Sequence, residues 1–160
     1  MPYHLRRDDR AITDLQHVER LLSEGRFATF ALARGGEPYC VTLTYGYEAS
    51  ARRLYFHVAH EGQKLEWISR NPVACGTVVK AGEYRHGECA HPYESVVMRG
   101  RFRVVDEPAE KEHAIRCLVW HQERDPEGYW AARRLDDPKR TEGFTALAFE
   151  IEDLTAKAGS

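Results

Sequence analysis

The sequence predicts a mainly β fold: about six antiparallel strands closing into a small barrel, with helices between and around them. Three observations carry this. Apolar residues alternate with period two in six segments after residue 26. Short turns separate the first three such segments, and a turn that short can only join antiparallel neighbours. The strands are rich in aromatic and Val residues, so the sheet has apolar surface to hide and edges to cover. At 160 residues the chain is expected to form a single domain over 1–160, because two halves would each have a thin core.

The first element is a helix over residues 13–24. Thr13 and Gln16 stand in the capping-box relation, Leu15, Val18, Leu21 and Leu22 form one apolar stripe, and Gly25 stops it. Residues 27–33 read as a strand, and Arg34-Gly35-Gly36-Glu37 as a hairpin turn. Residues 39–47 follow as one strand, with Tyr39, Val41, Leu43, Tyr45 and Tyr47 on one face and Cys40, Thr42, Thr44 and Gly46 on the other. A turn over 48–52 leads to a third strand, 54–59. A short helix should begin near Gly62 and end at Asn71-Pro72. Residues 73–79 form the fourth strand and 81–92 a loop. The fifth strand, 93–105, is long, and Gly100 marks a bulge or a close backbone approach. Pro108 opens a helix to about Gln122, with Ala114, Ile115, Leu118 and Val119 inward. A shorter helix follows Asp125-Pro126. Residues 144–151 form the sixth strand, before a polar tail.

Composition excludes several function classes. The chain has 23 Lys+Arg against 25 Asp+Glu, a net charge of −2, without the basic surplus of a general nucleic-acid or anionic-membrane binder. The first ten residues carry five charges and no apolar signal core, and no apolar run reaches the roughly 20 residues of a membrane helix. Cys40, Cys75, Cys89 and Cys117 are far apart and form no CxxC pair. These features predict a cytoplasmic protein with reduced thiols and no resident metal. P-loop, GxGxxG, HExxH and GxSxG motifs are absent.

Three constellations could carry chemistry. In His57-Val58-Ala59-His60-Glu61-Gly62-Gln63-Lys64 a strand ends, a glycine permits close backbone approach, and a helix starts with a lysine in its first turn. Orphan N–H groups, the positive end of the helix dipole and the Lys64 ammonium suit an anionic group such as a phosphate. The same junction also serves merely to start a helix, with Lys64 solvated. Thr42 and Thr44 project from one strand face and could offer hydroxyls to the edge of a flat heteroaromatic ligand; plain β-propensity explains them equally. His57 points away from Phe56 and Val58, together with Tyr55 and Ala59, and could give a substrate a proton or a hydrogen bond. The His86, Cys89 and His91 loop has ligand-type residues but lacks the second ligand pair of a zinc site.

In order and spacing these segments resemble the pyridoxamine 5′-phosphate oxidase-like superfamily of FMN-binding split barrels, and within it the nitroimidazole-resistance-related branch. The resemblance rests on Gly25-Arg26-Phe27-Ala28-Thr29, Glu37-Pro38-Tyr39, the run from Leu54 to Ala59 followed by Glu61 to Leu65, Asn71 to Cys75, and Tyr93 to Val96 with Gly100. It implies a homodimeric split β-barrel with FMN at the dimer interface. Gly62 and Lys64 would hold the phosphate. Thr42, Leu43, Thr44 and Tyr45 would line the ring, with Ala59 nearby and His57 catalytic beside the substrate space. Tyr93 and Ser95 would reach the flavin of the other subunit. The implied activity is reduction of a small electron-poor acceptor such as a nitroaromatic. Relatives also bind deazaflavin F420 or haem, so those cofactors, and a binding protein without turnover, stand as alternatives.

Overall fold

A 3-10 turn, Asp8–Arg10, precedes helix α1, Leu15–Glu24, in a computed structural model that describes residues 6–159. Strands β1 (Phe27–Arg34), β2 (Glu37–Thr44), β3 (Gly46–Glu48) and β4 (Arg53–Val58) follow, then α2 (Gln63–Arg70). Next come β5 (Val73–Ala81) and β6 (Tyr93–Val105). Helices α3 (Pro108–Gln122), α4 (Pro126–Arg133) and α5 (Pro138–Thr141) then lead to β7 (Thr145–Gly159).

All strand pairs are antiparallel, in the order β2-β1-β5-β6-β7-β4-β3. The two strands at the ends of this order, β2 and β3, are separated in sequence by the single residue Tyr45. A sheet whose opposite edges join through one residue must curl until they meet. The predicted barrel is therefore present, closed by chain continuity rather than by a β2–β4 ladder. Seven strands stand where the sequence reading gave six, because the 39–47 run divides at Tyr45 even though its side-chain alternation passes through unbroken.

Inward residues fill the barrel with an aromatic knot. Phe30 packs edge-on to Phe56, Phe102 and Phe149 at centroid separations of 5.5, 4.8 and 4.9 Å. Leu32, Leu54, Val96, Met98 and Leu147 complete the layer, all essentially sealed from water. Gly100 lies at the register shift between β6 and β7, where an added Cβ would overlap the Glu150 carbonyl; the bulge exists because only glycine lets the strands approach there.

Helix α3 covers the outer face of β4, β6 and β7. Ala114 packs with Tyr55, Val105, Ala146 and Ala148. A Cβ at Gly46 would meet the Cys117 and Leu118 backbone of α3 at 2.5 Å, so glycine permits that close approach. A charged network pins the helix at its other end. Arg103 reaches both Glu110 and Glu150, Arg53 reaches Glu150, and Tyr55 Oη donates to Glu110 at 3.1 Å. Burial pushes the Tyr55 hydroxyl up to about 12, whereas the Arg103 guanidinium holds the Glu110 carboxyl below the ordinary range.

Two expectations about element ends are corrected. Asp14, not Thr13, caps α1, its carboxylate accepting from Gln16 N–H at 3.0 Å. The polar tail after residue 151 is the second half of β7: its ladder with β6 runs on to the Tyr93–Gly159 pair. The N-terminal arm adds to the other side of that half, past the end of β4, through Ile12 N–H to Ala156 O at 2.9 Å and an Ala11–Lys157 bridge.

Candidate functional site

The antiparallel pair β3–β4 sets Gly46 opposite Tyr55. Stepping back through Tyr45 into β2 while stepping forward along β4 brings Thr44 level with His57 and Thr42 level with Ala59. No ladder joins these segments: β2 leaves β4 at Tyr45 and pairs with β1 instead. The result is a wedge-shaped split with its apex at Tyr45 and with β2 and β4 as walls. Helix α2 stands at the wide end, its Trp67 ring 5.3 Å from Tyr39 of β2 and its Glu66 ion-paired to Arg34 of β1. Alternation puts Thr42, Thr44, His57 and Ala59 on the outer side of both walls.

The apex is held from several directions. The Tyr45 ring is fully buried and its hydroxyl donates to Leu22 O at 2.6 Å, satisfying a carbonyl that the end of α1 leaves without a helical partner. Its own carbonyl accepts from Gln122 Nε2 at 2.7 Å. Behind it His121 Nδ1 accepts from Tyr47 N–H at 3.3 Å, and Nε2 donates to Gly25 O at 2.6 Å. That fixes a neutral tautomer, and burial lowers the His121 pKa accordingly.

At the wide end, Gly62 is the N-cap residue of α2 with φ 138° and ψ 161°, a conformation essentially restricted to glycine. Its carbonyl accepts from Leu65 and Glu66, while no side chain caps the helix, so the N–H groups of Gln63 and Lys64 remain available. Lys64 is half-buried and makes no hydrogen bond or ion pair among the described residues. The neighbouring Glu61 is exposed. A half-buried, unpartnered ammonium beside free N–H donors has the donor set of an anion cradle.

The predicted residues thus divide. Strand parity turns Thr42, Thr44, His57 and Ala59 outward along the two walls, and Gly62 and Lys64 stand at the start of α2. Leu43 turns inward against the barrel core, and the Tyr45 side chain is spent on closing the apex, so neither can present its side chain to the wedge's outer side. Ser95 is buried and Tyr93 half-buried, both projecting from the helix-free outer face toward the far end of β6. That face also carries two residues the sequence reading missed. Thr29 Oγ1 lies 2.9 Å from Thr42 Oγ1, and Thr77 stands across the ladder from Thr29. Their signal was present: each has outward parity in its own strand, but only the register aligns them. His57 sits edge-on to Phe144 at 5.9 Å, and His60 is engaged by Thr145 and the Glu142 carbonyl. The described residues include no group of three or more His, Cys, Asp or Glu able to hold a metal ion, and His86 and His91 flank the Tyr84 ring instead.

A family model for pyridoxamine 5′-phosphate oxidase matches residues 14–158. The chain belongs to this family. An uncharacterized relative, RA0666 of Rhizobium meliloti, is 26% identical over 148 residues, covering 89% of this chain and 91% of that protein. A candidate 5-nitroimidazole antibiotic resistance protein from Bacteroides thetaiotaomicron shares the fold with a TM-score of 0.76 at 22% identity, over 98% of this chain and 96% of that one. An FAD and heme binding protein from Mycobacterium smegmatis shares it at 0.72 and 21% identity, over 94% and 74%. The split-barrel resemblance read from the sequence is borne out. No helix among the described residues is long and apolar enough to cross a membrane.

Proposed function

We propose that this pyridoxamine 5′-phosphate oxidase-family chain is an FMN-dependent oxidoreductase, working as a homodimer, that reduces a small electron-poor acceptor such as a nitroaromatic. The observation that supports it most is the Gly62–Lys64 junction: a glycine-only conformation, free N–H groups and a half-buried cation without a partner, at the mouth of a split between strands. These residues fit a phosphate. Lys64 would neutralise it, and Gly62 would let it approach the backbone.

The Thr42 and Thr44 hydroxyls, with Ala59 opposite, would meet the polar edge and the face of a flat ring. Leu43 would contribute main-chain groups. Tyr45 would hold the walls at a fixed angle. The bound flavin would supply the electron transfer itself. His57, exposed on the outer wall of β4, would stand beside the acceptor and hold or deliver a proton from its imidazole. A second copy against the helix-free face would bring Tyr93 and Ser95 to the flavin and exclude water from it. Phe27 and Val79 on that face are 60% and 57% exposed, apolar surface that a second copy would cover.

The alternative is a flavin- or haem-binding protein without turnover, or an F420-dependent reductase. Absorbance of the purified protein, followed by mass spectrometry of the released ligand, decides among them. FMN with an isoalloxazine spectrum and nitroaromatic-dependent reoxidation of the reduced protein supports the proposal; a Soret band, or F420, overturns the FMN assignment.

A further inference from the structure

A second cationic site lies at the start of β6, beside the end of β7. Among the described residues, Arg6, Arg7, Arg10, Tyr93 and Lys157 line a pocket of about 180 Å3 with no carboxylate in its lining. Asp9, the carboxylate beside it, is engaged by the Arg7 guanidinium through both oxygens at 2.8 and 2.6 Å. Arg6, Arg10 and Lys157 form no ion pair among the described residues; Lys157 instead lies 5.5 Å over the Tyr93 ring. Three positive charges converge there in a protein of net charge −2, with Asp9 acting on Arg10 from beside the pocket, and an entering anion would relieve their mutual repulsion.

The pocket is built, not incidental. The Ile12 N–H to Ala156 O bond and the Ala11–Lys157 bridge fasten the N-terminal arm to the free side of β7, fixing where Arg10 stands. Gly159 leaves the room: a Cβ there would press on the Tyr93 ring at 2.6 Å and on the Arg10 guanidinium at 3.1 Å. Arg10, Tyr93 and Lys157 are half-buried, so their charges are less screened than those of surface side chains.

We propose that this pocket, which shares Tyr93 with the face that would meet a second copy's flavin, binds the phosphate or pyrophosphate group of a small anionic ligand in addition to the Lys64 junction. At roughly 30 Å3 per water the space admits one or two phosphoryl groups but not a whole nucleotide. Planar guanidinium groups match phosphate oxygens in pairs. The rest of a nucleotide would extend past Tyr93 into the adjoining depression lined by Lys80, Gly82, Pro92 and Glu94, whose carboxylate is engaged by His17 at 2.7 Å.

Isothermal titration of the full chain with inorganic phosphate, pyrophosphate and ADP at low salt tests this. Saturable pyrophosphate binding is expected, weakened at least tenfold in Arg10→Gln/Lys157→Gln and in Arg6→Gln/Lys157→Gln, and retained in Lys64→Ala. The second variant spares the half-buried Arg10, so a folding defect in the first does not mask the result. ADP binding tighter than pyrophosphate assigns the site to nucleotides, and the reverse assigns it to free phosphoryl anions; either supports the proposal. No saturable binding, or binding lost in Lys64→Ala but intact in both double variants, overturns it without touching the flavin reading.

Discussion

Tyr45→Phe removes one oxygen atom and tests whether this residue is the pivot of the split. Its hydroxyl is fully buried and donates to Leu22 O at 2.6 Å, while burial raises its pKa well above the ordinary tyrosine value. The substitution leaves the ring in place but strands a buried carbonyl at the end of α1. An unsatisfied buried acceptor costs about 1–3 kcal/mol. For a chain of this size that corresponds to a melting temperature lowered by about 2–12 °C. Urea unfolding followed by circular dichroism measures it, with Tyr47→Phe as control: that half-buried ring makes no hydroxyl hydrogen bond among the described residues, and its loss should stay within about 0.5 kcal/mol. The midpoint should fall in Tyr45→Phe with the slope unchanged. Equal stability of the two variants would refute the pivot, and so would alkaline titration showing all tyrosines ionising near their ordinary pKa.

Other outcomes follow from the same geometry. Gly100→Ala places a methyl group on the Glu150 carbonyl, so it should cost more than about 3 kcal/mol and yield little folded protein in a solubility assay; a normal melting curve would contradict the bulge. Gly62→Ala meets no neighbouring atom, so its cost of about 1–3 kcal/mol comes from backbone conformation alone, and it should also weaken flavin retention. His121 is held neutral when folded, with its pKa lowered, while the unfolded imidazole takes a proton at about pH 6.5. Its contribution is therefore complete above that pH and is lost as the pH falls from there toward the lowered folded value. His121→Gln should reduce stability at pH 7.5 yet flatten the decline between pH 7 and 5.5, as read by thermal melts; an unchanged slope would remove His121 from that linkage.

Much of the fold was legible because local rules and the final packing agree. Pro108 and the Ala114, Ile115, Leu118 and Val119 stripe of α3 read directly from helix chemistry, and Gly35 and Gly36 turn with φ 57° and 88° as a tight hairpin requires. The break at Tyr45 was not legible, because a strand can change partners without changing its alternation. The second half of β7 was obscured by Glu152 and Asp153, exposed at the register shift opposite Arg99 and Gly100, which read as the start of a polar tail. The Gly62–Lys64 junction could be read from residue types alone. The Thr29–Thr42 contact and the Arg6–Lys157 pocket could not, since both depend on which strands become neighbours.

Flavin affinity of Lys64→Ala is the most direct measurement of the central claim. A charge-assisted bond from this ammonium to a phosphate is worth about 1.5–3 kcal/mol, so FMN should bind about 10- to 150-fold more weakly, with riboflavin affinity nearly unchanged. Lys80→Ala, which removes a cation already paired with Glu24 at 2.7 Å, should leave both affinities intact. FMN binding to Lys64→Ala as tight as to the unaltered chain would contradict the account.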